Sequence, residues 1–97
     1  MITHSVVFNL KHENNSTEEA SFLTKARALA LLPTVQNFKI YKQTSQDNPY
    51  TLALFMDFAS QEDYDAYNNH PQHVEFIETI WLVEVTDFME LDYEALS

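Results

Sequence analysis

The segment Tyr50 to Phe58 is apolar on both of its faces, and this restricts what the chain can build. Side chains alternate along an extended strand, so Leu52, Leu54, Met56 and Phe58 form one continuous face while Ala53 and Phe55 lie on the other. Such a strand needs cover on two sides. A layer of helices supplies one cover. With 97 residues and 45% hydrophobic content there is material for a single modest core, so residues 1–97 are expected to form one domain.

Ile2 to Leu10 alternates as well, with Ile2, His4, Val6, Phe8 and Leu10 on one side and Thr3, Ser5, Val7 and Asn9 on the other. This predicts a strand that carries His4 on its core face. Lys11 to Asn15 is a polar turn ending in Asn-Asn, which suits a chain without glycine because Asn tolerates left-handed backbone. His12, beside Glu13 in that turn, is expected to face solvent. Ser16 with Glu19 reads as a capping box, and Phe22, Leu23, Ala26, Leu29 and Ala30 at helical spacing predict one helix from Thr17 to Leu31. Pro33 ends it. Val35 to Lys42 reads as the second strand, joined to the third by the polar loop Gln43 to Pro49. Ser60 with Asp63 caps a short helix presenting Tyr64 and Tyr67. His70-Pro71 breaks that helix, because the residue before proline is pushed out of the helical region. A second helical piece carries Val74, Phe76, Ile77, Ile80 and Trp81, and the last strand lies between Val85 and Tyr93.

The order is strand, helix, strand, strand, helical region, strand. Right-handed crossovers and adjacency of the second and third strands make this an α+β chain of ferredoxin-like sandwich form, a four-stranded antiparallel sheet with helices on one face. Val7, Ala53 and Phe55, with Phe38 and Ile40, are assigned to the other face. An apolar patch of that size calls for a second copy, so a two-fold homodimer closing two sheets into an α+β barrel is expected.

Charge narrows the partners. Net charge is -10, and all five Lys and Arg fall at or before Lys42, so residues 43–97 are neutral or acidic apart from His. Such a surface repels phosphate, which argues against nucleic acid and anionic membrane as partners. The absence of Cys removes disulfides, thiolate metal sites and a cysteine nucleophile together. Met1 to Leu10 has neither a basic leader nor an unbroken apolar run, so no signal or membrane span is expected, and the expected location is cytoplasmic.

Chemistry concentrates in Tyr67-Asn68-Asn69-His70-Pro71-Gln72-His73, which places two of the four histidines and a phenol within seven residues. Alternation puts His4 on the sheet face that meets the helices, so His4, Tyr67 and His73 can line one cavity. A neutral imidazole is a natural base for a carbon acid next to a ketone near neutral pH. A phenol on the carbonyl oxygen would stabilise the enolate. No cofactor is required. Each residue also has a plain structural reading: His4 as a core ring satisfied by a partner such as Tyr67, Tyr64 and Trp81 as core aromatics, and His70 as a helix-terminal residue meeting the last carbonyls. His70 and His73 are a weak metal pair because Pro71 prevents a regular helix from presenting both rings, and no metal is expected.

Ile2-Thr3-His4-Ser5-Val6-Val7-Phe8, Leu32-Pro33-Thr34-Val35, Tyr67 through Phe76 and Leu91-Asp92-Tyr93, in that order, resemble the stress-responsive A/B barrel domain (Dabb) family of dimeric α+β barrels across essentially the whole chain. The resemblance implies a dimeric barrel and no settled reaction. One branch it resembles, the plant polyketide cyclases, closes rings by an aldol-type step. A Tyr and the second His of His-Pro-x-His act together there, and a first-strand His shares the pocket; the matching positions are Tyr67, His73 and His4. Val6, Phe8, His70, Phe76 and Ile77 are the expected pocket residues. Ile77 stands where that branch has glycine and Asn68 replaces an aliphatic wall residue, so a narrower pocket for a small neutral or aromatic ligand is expected. Two functions follow: a homodimeric small-molecule-binding or stress-related domain, or a cofactor-independent cyclase with His73 as general acid/base, Tyr67 as oxyanion donor and His4 as orienting group.

Overall fold

The computed structural model describes residues 1–96. Strands β1 (Ile2–Leu10), β2 (Gln36–Lys42), β3 (Leu52–Phe58) and β4 (Val85–Glu94) form one antiparallel sheet in the order β2-β3-β1-β4. Helices α1 (Thr17–Arg27), α2 (Gln61–Asn69) and α3 (Pro71–Phe76) fill the two crossovers and pack on one face. This is the ferredoxin-like arrangement the element order predicts.

Local chemistry sets the helix starts. Ser16 Oγ accepts from the Glu19 N–H at 3.1 Å, Glu19 Oε1 reaches back to the Asn15 N–H at 3.2 Å, and Asn15 takes the left-handed conformation at φ 65°. Ser60 Oγ accepts likewise from the Asp63 N–H at 3.2 Å. The first helix does not stay α-helical to Leu31. Its last turn tightens to 3-10 over Ala28–Leu31, because Leu32 must be extended (ψ 147°) ahead of Pro33.

The core lies between sheet and helices. Phe8, Phe22 and Phe58 are fully buried, and Phe8 meets Phe22 at 5.7 Å and Trp81 at 5.0 Å between ring centroids. Burial of aromatic area on this scale dominates the energetics of so small a domain.

Cross-strand register corrects the expected open face. Ile40 pairs with Leu54, so Ile40 and Phe38 pack toward the helices with the core. Tyr41, opposite Ala53, and Lys39, opposite Phe55, point the other way; the Tyr41 and Phe55 rings meet edge-on at 5.6 Å. β2 has apolar residues on both parities, and an irregularity between Gln36 and Lys39, where Asn37 has φ 51°, sets which parity goes inward. Val7, opposite both Ala53 and Met89, lies on the open face, as do Leu91 and Tyr93 of β4. Tyr41, Met89, Leu91 and Tyr93 are exposed in the single chain.

A second correction concerns His12, which is half-buried, not solvent-exposed. Its Nε2 lies 2.7 Å from Glu84 Oε1, and the neighbouring Lys11 N–H donates to the Glu84 carbonyl at 2.9 Å. The turn after β1 is thereby pinned to the entrance of β4. Among the described residues no helix is long and apolar enough to cross a membrane.

Candidate functional site

Register places His4 on β1 between Met56 of β3 and Asp92 of β4. His4 Nδ1 lies 2.6 Å from Asp92 Oδ1 and 2.8 Å from the Tyr64 hydroxyl, which itself donates to Asp92 Oδ2 at 3.0 Å. An ionised carboxylate only accepts, so Nδ1 carries the hydrogen and Nε2 is the nitrogen left over. The expected partner, Tyr67, is not the one that holds His4. Tyr64, expected to be a core aromatic alone, and Asp92 do so together. Burial, and then its hydrogen bond to Asp92, raise the Tyr64 phenol above its ordinary pKa.

Tyr67 follows Tyr64 by one helical turn on the buried face of α2, with its ring 5.2 Å from that of Phe58. Among the described residues its hydroxyl has no hydrogen-bond partner, yet it is not a sealed, unsatisfied group. It opens on the cavity. Burial, helped by the charge of Glu90, raises its pKa, so the phenol stays protonated and is a donor throughout the neutral range.

The His70-Pro71 break creates the next feature. His70 is extended (ψ 132°) and its Nδ1 accepts from the Gln72 N–H at 3.1 Å, so it caps the start of α3 in place of meeting the last carbonyls of α2 with its ring. The reversal returns His73 to Tyr67, with ring centroids 4.3 Å apart. His73 Nδ1 donates to the Asn68 carbonyl at 3.1 Å, which fixes the tautomer and leaves the Nε2 lone pair. Burial lowers the His73 pKa below the usual imidazole value; the Asn68 bond acts in the opposite direction but does not overcome it. The ring is therefore a neutral base at neutral pH.

Beyond α3 the chain takes a π-helical turn, Ile77–Trp81. Such turns recur at functional sites, and this one supplies two walls of a cavity. That cavity holds about 240 Å³ and is lined by His4, Val6, Leu54, Tyr67, Asn68, His73, Ile77, Trp81 and Glu90. Five of the eight residues expected from sequence therefore share one space: His4, Tyr67, His73, Val6 and Ile77. Phe8 and Phe76 do not line it. They pack against Trp81, with centroids at 5.0 and 6.4 Å, and support the wall as core. His70 is likewise absent from the lining.

Leu54, Trp81 and Glu90 were missed as pocket residues. For two of them the signal was parity: Leu54 and Glu90 both pair with Val6, so these three side chains share one sheet face. A larger cleft of about 340 Å³, lined in part by Arg27 and Lys42, contains none of the imidazoles or the Tyr67 phenol. The smaller cavity is where acid–base groups converge.

Comparison with known proteins supplies a family. The Dabb family, the stress responsive A/B barrel domain, matches residues 2–95. A stress-response A/B barrel domain-containing protein of Arabidopsis thaliana is 30% identical over 97 residues, covering 98% of this chain and 37% of that protein, so the chain spans little more than a third of that relative. The crystal structure of a Dabb family protein with a ferredoxin-like fold from Mesorhizobium loti is 41% identical with a TM-score of 0.97, covering 99% of this chain and 97% of that one. A dimeric ferredoxin-like protein of unknown function from Thermobifida fusca shares the fold at 18% identity and a TM-score of 0.76, covering 97% and 90% of the two chains.

Proposed function

The chain belongs to the stress responsive A/B barrel domain family, and from that premise we propose that it is a homodimer whose pocket binds a small carbonyl compound and moves a proton on it without a cofactor. One observation carries this reading. Tyr67 and His73 lie side by side in one cavity with their reactive atoms, the phenol hydroxyl and Nε2, unengaged by the described protein.

In the proposed reaction His73 Nε2 removes a proton from the carbon next to the carbonyl. The C–H electron pair becomes the enolate, and its oxygen accepts the Tyr67 hydroxyl hydrogen bond. His73 is then an imidazolium. The enolate carbon either regains that proton or attacks a second carbonyl of the same molecule, forming a C–C bond and an alkoxide that takes the proton from His73. His4, held by Asp92 and Tyr64, lines the same space and orients the ligand.

Acetophenone in D₂O tests this directly, since proton removal replaces its methyl hydrogens with deuterium. The protein is expected to speed that exchange over buffer at equal pD, followed by ¹H NMR. Binding without acceleration would contradict the catalytic step and leave a ligand-binding domain. That second reading is favoured by the bonding of His4, because a ring braced by Asp92 and Tyr64 serves stability whether or not chemistry follows.

Self-association is the other half of the proposal. Supporting it are the exposed apolar side chains of the open sheet face and the dimeric Thermobifida fusca protein of the same fold. Phe55→Asp sets a charge on that face, beside Tyr41. Light scattering is expected to give twice the chain mass for the parent and the chain mass for the variant; a folded variant still at twice the mass would contradict the interface.

A further inference from the structure

We propose that Glu90 makes the Tyr67–His73 pocket selective for ligands bearing a positive charge, such as an ammonium group on an aromatic or ketone body, and that it turns carboxylates away. This rests on the reading of the cavity as a ligand site and adds the charge of the ligand to it.

The placement of Glu90 is set by the sheet. β4 alternates, so Met89 and Leu91 face the open side while Glu90, paired with Val6, faces the helices. Glu90 is exposed, and it lines the cavity beside Val6, Leu54, Ile77 and Trp81. Among the described residues it makes no ion pair, the only pairs being His4–Asp92 and His12–Glu84, and it has no hydrogen-bond partner. Every Lys and Arg lies at or before Lys42, and none lines this cavity. No protein cation in the cavity offsets its charge, so a cationic ligand competes there only with water.

The walls suit that visitor. Trp81 and Tyr67 present aromatic surface, which attracts cations through the negative face of the ring. His73, neutral at neutral pH, does not cancel the carboxylate, and the charge of Glu90 reaches both Tyr67 and His73. An ammonium held at Glu90 would leave the remainder of the ligand over the Tyr67 hydroxyl and His73 Nε2.

Three probes of one shape separate the charges: benzylamine, an ammonium at neutral pH, benzyl alcohol and benzoate. Trp81 is the chain's one tryptophan and lines the cavity, so its indole N–H signal reports binding without ambiguity. Benzylamine is expected to bind about five- to tenfold more tightly than benzyl alcohol at low salt, the scale of one partly exposed charge contact, and benzoate more weakly than either. In Glu90→Gln the preference for the amine over the alcohol is expected to fall to about twofold or less. Equal binding of amine and alcohol by the parent would overturn the proposal while leaving the ligand site standing. So would a preference that survives in Glu90→Gln, or one that Glu62→Gln, an exposed acid of α2 outside the cavity, reduces as much. If no probe moves the Trp81 signal, the ligand site itself fails and the selectivity falls with it.

Discussion

His73→Asn is expected to slow deuteration of acetophenone by about 10²- to 10⁴-fold, the usual contribution of a positioned general base. Asparagine can still hydrogen-bond the Asn68 carbonyl, so the local chain path is retained while the titrating nitrogen is lost. The parent's pH profile has a definite sign. Because burial lowers the His73 pKa, the base form dominates at neutrality, so the rate should be flat above roughly pH 6.5 and fall as acid protonates the ring below it. A variant within about twofold of the parent would remove His73 from the mechanism.

Phe8→Ala is expected to cost about 3–5 kcal/mol of stability, a large share of the roughly 5–15 kcal/mol typical of a domain. Phe8 is fully buried on the central strand β1 and touches Phe22 from α1 and Trp81 from the π-helical turn, so its loss leaves a void shared by sheet and both crossovers. Urea melts of parent and variant at equal chain concentration measure it, since the proposed self-association would make stability concentration-dependent. A cost under about 1 kcal/mol would mean that the aromatic cluster collapses around the gap and does not organise the core. The same change should disturb the cavity through Trp81, which Phe8 supports from behind.

Alternation and caps made most of the fold legible. β1, β3 and their parity follow from side-chain period, and the starts of α1 and α2 from a serine three residues ahead of an acidic residue. β2 was harder, because Phe38 and Ile40 fit either face until their pairing with β3 is known. For the site, Tyr67 and His73 are close in sequence and the proline between them signals the reversal that brings their rings together. The clamp on His4 was not legible in the same way. Asp92 is 88 residues away, and only the pairing of first and last strands brings it to His4, while Tyr64 looked like one more aromatic on a helix. Glu90 was hidden for a similar reason: Glu90, Asp92 and Glu94 share the helix-facing parity of β4, and nothing in the sequence separates the one that lines the cavity.

The claim on which the rest depends is that His73 is a neutral, accessible base coupled to the Tyr67 phenol. Following the ring protons of the four histidines against pH by NMR, in the parent and in Tyr67→Phe, tests it most directly. His73 is expected to titrate with a midpoint below roughly 6.5 and to shift its midpoint when the hydroxyl is removed. A midpoint above that value, or one indifferent to Tyr67→Phe, would contradict the account and leave the two rings as neighbours in a structural core.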